Sequence, residues 1–370
     1  MRLEYPNKKD SQEIIKEALI SDKVKLDLDY NNLIFGENLS VLKSLVANEQ
    51  LHGKIDLIYI DPPFATGNIF NIGLDRANTI SNSLNDNIAY KDTVKGYNFI
   101  EFLRERLILL RYLLSDQGSI YLHIDYKIGH YVKIIMDEIF GISNFKNDIT
   151  RIKCSPKNFK RKAYGNVKDM ILFYTKTKSY IWNDLTEPYS NDDIDKLFKK
   201  KDGSRSYTTV PLHAPGETKN GKTSEAWRGI LPPKGRHWRC SPEELDILEK
   251  DGLIEWSSSG NPRRKIYSDE RKGKKIQDIW SFKDPHYPSY PTQKNSNMLD
   301  RIILNSSNES SIVLDCFCGG GTTILSADKF GRNWLGIDNS VESIKIIKSN
   351  LQSKYNYIDF FEIKDISTDR

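Results

Sequence analysis

Long apolar runs are what this sequence has least of. Its longest, around Leu107–Leu114, is interrupted by Arg111 and falls far short of the roughly 18 residues a membrane-crossing helix needs. No transmembrane helix is therefore expected. The first residues, MRLEYPNKKDSQ, also lack the apolar core of a secretory signal, so the expected location is the cytoplasm. Cysteine is scarce too: four in 370 residues, with Cys316 and Cys318 too close for an ordinary disulfide, exclude a disulfide-stapled scaffold. The six histidines show no metal-ligand spacing, and no metal is expected. What remains, 38% hydrophobic and 28% charged residues, is an ordinary globular composition. The length allows two domains, or one large domain carrying an insertion.

Charge is unevenly placed. Residues 146–294 hold 31 Lys and Arg against 20 Asp and Glu, leaving 24 against 30 elsewhere, so the middle is the basic part. Five of the six tryptophans (Trp182, Trp227, Trp238, Trp256 and Trp280) lie there as well, interleaved with KNFKRK at 158–163, RHWR at 236–239 and RKGKK at 271–275. Basic charge beside aromatic faces suits a polyanion with stackable bases. Solvated loops and partly buried tryptophans would give the same pattern.

The two ends read differently. Residues 11–20 have the pattern of a short amphipathic helix, Leu33–Phe35 of a strand, Ser40–Ala47 of a helix, and Ile55–Ile60 of a buried parallel strand stopped by Asp61-Pro62-Pro63. A helix is predicted over Tyr97–Leu114, a strand over Gly118–Ile124 and a helix over His130–Phe140. Near the C-terminus, helices over Met298–Leu304, Thr322–Lys329 and Val341–Leu351 alternate with strands at Ile312–Leu314 and Leu335–Ile337. Strand and helix alternate at both ends, which predicts one doubly wound α/β sheet. The middle lacks that alternation and is expected to form an inserted lobe.

Two stretches carry chemistry. Val313–Thr323, VLDCFCGGGTT, is a strand emptying into a glycine-rich turn that opens a helix, where backbone N–H groups can meet a ligand. Packing explains a lone glycine run equally well. Asp338, ending the next strand seventeen residues after Gly321, is placed to take ribose hydroxyls, so a nucleoside ligand is expected. No Gly-Lys-Ser/Thr follows the glycines, which disfavours a phosphate-cradling loop, and Ile324 stands where a nicotinamide-binding fingerprint has its third glycine. The second stretch is Asp61-Pro62-Pro63-Phe64 at the end of a buried strand. Its carboxylate and a fixed proline carbonyl can accept both hydrogens of an amino group, and the phenyl ring can stack on a planar base.

Together these motifs resemble the permuted β class of amino-group DNA methyltransferases, over nearly the full chain. Asp61–Phe64 is similar to the family's D/S/N-P-P-Y/F/W catalytic motif, and Gly118–Gly141 to the strand and helix of type III modification subunits. Tyr290-Pro291-Thr292-Gln293-Lys294 matches the Y/H-P-T-Q-K box that precedes the cofactor loop. In the loop itself, usually D-P-F-x-G-S-G-T-T, Cys316 replaces proline and Gly320 replaces serine. The resemblance implies a Rossmann-like, S-adenosylmethionine-dependent sheet divided into a catalytic half (1–150), a DNA target-recognition lobe (151–289) and a cofactor half (290–370). It implies catalysis by Asp61, Pro62, Pro63 and Phe64. Cofactor contacts would come from Asp315, Phe317, Gly319, Gly321, Thr322, Thr323 and Asp338, with Lys294 on the methionine carboxylate and Glu37 near the adenine ring. Thr322 and Thr323 are also expected to cap the helix they open. The implied reaction is methyl transfer to N6 of a flipped adenine in double-stranded DNA, with N4 of cytosine or an inactive DNA-binding relative as alternatives. Implied partners are a cognate restriction endonuclease and a second copy of the chain, and no membrane. Cys154, Cys240, Cys316 and Cys318 are read as structural, because amine methylation needs no thiol nucleophile.

Overall fold

A computed structural model describes residues 2–24, 26, 31–63, 69–72, 77–78, 87–91, 96–156, 162–285, 288, 290 and 293–352. Phe64, Pro291 and Thr292 lie outside the described residues, as do Asn158–Arg161 of the first basic run. The chain divides into two compact units, Met1–Asp184 with Gln277–Arg370, and Leu185–Ile276.

The first unit is built on eight strands: β1 (Asn32–Phe35), β2 (Ile55–Ile60), β3 (Leu114–Ile124), β4 (Phe145–Ile152), β5 (Lys168–Thr175), β6 (Ile279–Trp280), β7 (Ile312–Asp315) and β8 (Asn333–Asp338). Across the sheet they run β1-β8-β7-β2-β3-β5-β4-β6. Every neighbouring pair is parallel except those made by β5, which is antiparallel to both β3 and β4. The helices are α1 (Ser11–Leu19), α2 (Asn38–Ala47), α3 (Tyr97–Leu113), α4 (Tyr126–Phe140), α5 (Ser296–Ser306), α6 (Thr322–Lys329) and α7 (Val341–Gln352). This is the doubly wound α/β sheet expected from the alternation at the two ends.

Side chains of a strand alternate between faces, and here both faces are covered. Ile34, Ile58, Ile60, Ile120, Leu122, Leu172, Leu314 and Ile337 join Val41, Leu45, Leu103, Leu107, Val132 and Met136 of α2–α4 in one buried cluster. The opposite face carries Tyr59, Tyr121, His123 and Phe173 and meets α5, where Tyr121 Oη lies 2.8 Å from Ser306 Oγ. Helix α4 begins four residues before the expected His130, because the Asp125 carboxylate accepts from Lys127 N–H at 2.9 Å and caps an earlier turn.

The second unit is narrower than the expected lobe of 151–289. Strands β4 and β5 hydrogen-bond into the main sheet, and β6 joins it at Thr150 and Arg151, so those residues belong to the first unit. Leu185–Ile276 holds an antiparallel sheet of 200–202, 205–211, 262–267 and 254–256, in that order. Its core is Leu212, Trp227, Trp238 and Leu245. Two of the tryptophans read as stacking faces are therefore core residues. Trp256 stays 41% exposed, lying parallel on Trp227 at 5.5 Å.

Candidate active site

Strands β7 and β2 come from opposite ends of the chain, yet they are adjacent and parallel, with Val313 opposite Leu57 and Leu314 opposite Ile58. From β7 the chain winds to β8 on one side; from β2 it winds to β3 on the other. Loops leave such a switch point in opposite directions and open a crevice at the carboxyl ends of the strands. The Asp315 loop and Asp61 both lie at that edge.

The glycine loop is held mostly by its own chain. Asp338 Oδ2 accepts from Gly319 N–H at 2.8 Å, and its Oδ1 accepts from Ser340 N–H at 2.9 Å. Asp315 accepts from Phe317 N–H at 2.9 Å and from the Thr323 side chain. Burial is the main reason the Asp315 carboxyl is pushed up to about 7, with the charges of Asp61 and Asp338 adding to the effect and its hydrogen bonds opposing it. Burial likewise raises Asp338, against its backbone donors. Gly321, at φ 78°, supplies the left-handed residue that starts α6 without any side-chain cap, so neither Thr322 nor Thr323 caps this helix; Thr322 is its first residue. The glycines also serve the protein's own packing. A Cβ at Gly320 would stand 2.8 Å from Tyr290 Cβ, and one at Gly321 2.5 Å from Ile347 Cγ1. Tyr290, of the box before α5, thus lies directly on the loop, where the serine usual at position 320 would meet it.

Glu37 is committed elsewhere than expected. It caps α2 by accepting from Ser40 N–H at 2.9 Å and pairs with Arg106 at 2.5 Å. Burial works to raise its carboxyl, but Arg106 and the backbone donors outweigh it and hold it low. Arg106 also donates to Asn38 Oδ1 at 2.6 Å, and Asn38 donates to Cys316 O at 2.9 Å, which ties α3 and α2 to the cofactor loop. A cleft of about 300 Å³ opens beside Arg106, Phe102 and Leu39. The partly buried Phe317 lies 6.2 Å from Phe102, ring to ring. The Cys316 and Cys318 thiols are buried and pushed well above their ordinary range by that burial, which fits structural roles.

Asp61 stands at the other wall, followed by a buried Pro62. Its Oδ2 forms an ion pair with Lys294. Its Oδ1 is buried without a hydrogen-bond partner and lies 3.9 Å from His123 Nδ1. The family resemblance assigns Lys294 to the cofactor; the structure places it on Asp61, so the two motifs meet through that pair. The sequence does not single out Tyr59, His123, Asp169, Arg106 or Asn38. Each is polar on an element otherwise read as buried, and that mismatch is the only signal the sequence offers for them. Among the described residues, no group of three or more His, Cys, Asp or Glu is placed to hold a metal. No helix among them is long and apolar enough to cross a membrane.

A carboxylate oxygen lacking a donor, beside a glycine loop at a switch point, makes a site for a nucleoside-type ligand and an amine side by side. A family model described as DNA methylase, for N6 and N4 methyltransferases, matches residues 55–349. Type II methyltransferase M.EcaI of Enterobacter cloacae is 39% identical over 360 residues, covering 93% of this chain and 76% of the relative. The StyLTI Mod subunit of a type III restriction-modification enzyme from Salmonella typhimurium is 28% identical over 330 residues, covering 80% of this chain and 49% of the subunit. The solved structure of M1.HpyAVI in complex with SAM aligns over 86% of this chain and 98% of its own, with a TM-score of 0.45 and 16% identity. The chain belongs to the DNA methylase family.

Proposed function

We propose that this DNA methyltransferase moves the methyl group of S-adenosylmethionine to N6 of an adenine extruded from duplex DNA. The observation that carries this reading is the Asp61 carboxylate, with one buried oxygen lacking any donor, at the end of β2 beside the Asp315–Thr323 loop. The cofactor supplies a methyl bound to a positively charged sulfur. Its nucleoside part suits Asp338 and Phe317, and its carboxylate suits Lys294, which would then exchange Asp61 for a second acidic partner. Asp61 and the Pro62 carbonyl would accept the two amine hydrogens, concentrating the nitrogen lone pair for attack and holding the proton that the methylated amine sheds. Extruding the base costs about a few kcal/mol of pairing and stacking, which Phe64 would partly restore. Aspartate before the two prolines favours adenine over cytosine within the family resembled.

The test is sequencing that reports modified bases, on DNA from cells expressing this chain. N6-methyladenine at one recurring motif is expected; N4-methylcytosine would replace adenine as the target, and an unmodified genome would remove the proposal. The motif also exposes the partner that the relatives' restriction-modification names call for. An endonuclease cutting that motif only when unmethylated would be its cognate.

DNA contacts divide differently from the sequence expectation. Residues 146–184 carry 10 Lys and Arg against 3 Asp and Glu, whereas 185–276 carry 19 against 15. Several basic residues of the second unit are neutralised locally: Arg205 by Asp269 and Glu270, Lys222 by Glu243, Lys274 by Asp193. Phosphate binding is therefore assigned mainly to the segment joining β4 and β5, where Lys162 is exposed and Tyr164 is 95% exposed, and base reading to the second unit. Neutralising Lys160, Arg161 and Lys162 together is expected to weaken binding to all DNA sequences alike. The log–log salt slope should flatten by about 0.9 for each phosphate that no longer meets a cation. Changed sequence preference with an unchanged slope would reverse the assignment.

A further inference from the structure

Behind Asp61, on the sheet face that meets α5, polar side chains form a row across β2, β3, β5 and β4. Tyr59 Oη lies 2.9 Å from His123 Nδ1, and His123 Nε2 lies 3.3 Å from Asp169 Oδ2. Asp169 accepts from Lys153 Nζ at 2.6 Å and stands 3.6 Å from Arg151, which also pairs with Asp284. His123 and Arg151 are 0% exposed and Asp169 2%. Strand pairing explains the alignment: Tyr59 lies opposite Tyr121, which puts His123 level with Asp61, and Arg151 lies opposite Asp169. Burying four such groups is unfavourable unless their hydrogen bonds are made, so the row is an organised feature rather than accidental packing.

The tautomer follows from the partners. A carboxylate only accepts, and Lys153 and His123 together keep Asp169 ionised against the effect of its burial. The imidazole proton facing it must therefore sit on Nε2, which leaves Nδ1 with a lone pair that accepts from the Tyr59 hydroxyl. Burial disfavours a second proton on the ring. A lone pair at Nδ1 offers no hydrogen to Asp61 Oδ1, 3.9 Å away, and that oxygen indeed has no donor. In a low-dielectric site, a carboxylate short of donors is a stronger acceptor than one already satisfied. The opposite tautomer would donate from Nδ1 to Asp61 and compete with any amine arriving from the crevice.

We propose that His123, fixed as the Nε2–H tautomer by Asp169, is a positioning residue for methyl transfer that withholds a hydrogen bond from Asp61 and so leaves that carboxylate to the target amine. The proposal rests on the assignment of Asp61 to the amine. Nitrogen-15 spectra of the histidine-labelled wild type, with the His123 signals identified by their loss in His123→Gln, should show an unprotonated Nδ1 and a protonated Nε2. A protonated Nδ1 would overturn the proposal. Asp169→Asn can donate to Nε2 and release the Nδ1–H form; His123→Gln keeps an amide facing Asp169 but opens space behind Asp61 for water, itself a donor. Both variants are expected to lower kcat by about 10- to 100-fold. Their dissociation constants for cofactor, and for a duplex carrying the motif found by modified-base sequencing, should stay within about threefold of wild type. Because Asp169 also holds Lys153 and approaches Arg151, melting curves accompany each variant, and the wild-type spectrum with His123→Gln decides the matter if Asp169→Asn does not fold. Wild-type activity with unchanged kcat in both variants would overturn this inference alone. A wild type that transfers no methyl would overturn the proposed function and this inference with it.

Discussion

Asp61→Ala is expected to reduce methyl transfer below about 1% of wild type, the scale of removing one preorganised hydrogen-bonding group from a reacting centre. Cofactor affinity should change little. In the structure the Asp61 carboxylate reaches Lys294 with one oxygen and keeps the other buried without a donor. Alanine would remove the acceptor for the amine and the Asp61 partner of Lys294 at once, and the lysine can then turn to a cofactor carboxylate. Turnover and affinity thus separate: the first collapses, the second holds or improves slightly. Single-turnover methylation and calorimetry on the same preparation measure both. Turnover above a few per cent of wild type would take Asp61 out of the reaction, and a matching loss of affinity would make it a cofactor ligand instead.

Asp338→Ala is expected to weaken S-adenosylmethionine binding by about 1 to 3 kcal/mol, roughly 5- to 150-fold, the range for hydrogen-bonding groups left without a charged acceptor. Its two oxygens hold Gly319 N–H and Ser340 N–H, so the substitution also loosens the turn into α6. Asp338→Asn separates the two contributions. An amide keeps one acceptor for the turn but has no charge for ribose hydroxyls, and an intermediate affinity with an unchanged melting temperature would assign the remainder to the ligand. Wild-type affinity in Asp338→Ala would place the nucleoside elsewhere along the sheet edge.

The sheet is legible because its strands announce themselves locally. Ile55–Ile60 is an unbroken β-forming run ended by two prolines, and Thr322–Lys329 is a helix introduced by glycines; both stand where their patterns predict. Sequence and structure part where a distant partner decides. β4 and β5 sit in a basic stretch without helical alternation, a pattern that assigns them to a separate lobe; only their pairing with β3 and β6 reveals that they complete the main sheet. Trp227 and Trp238 lie among charges in sequence but inside the second unit's core in space.

The sequence by itself determined the α/β class, the family resembled and the two motifs at the ends of β2 and β7, since each is a run of neighbouring residues whose pattern needs no partner to be read. The tertiary structure alone decided that Lys294 pairs with Asp61, that Tyr290 rests on the glycine loop, that Glu37 serves Arg106, and that His123 stands between Tyr59 and Asp169. Those contacts join residues from 64 to more than 200 positions apart along the chain, or depend on which way a buried side chain turns. Strand order and register set both, and neither is written in any local stretch of sequence.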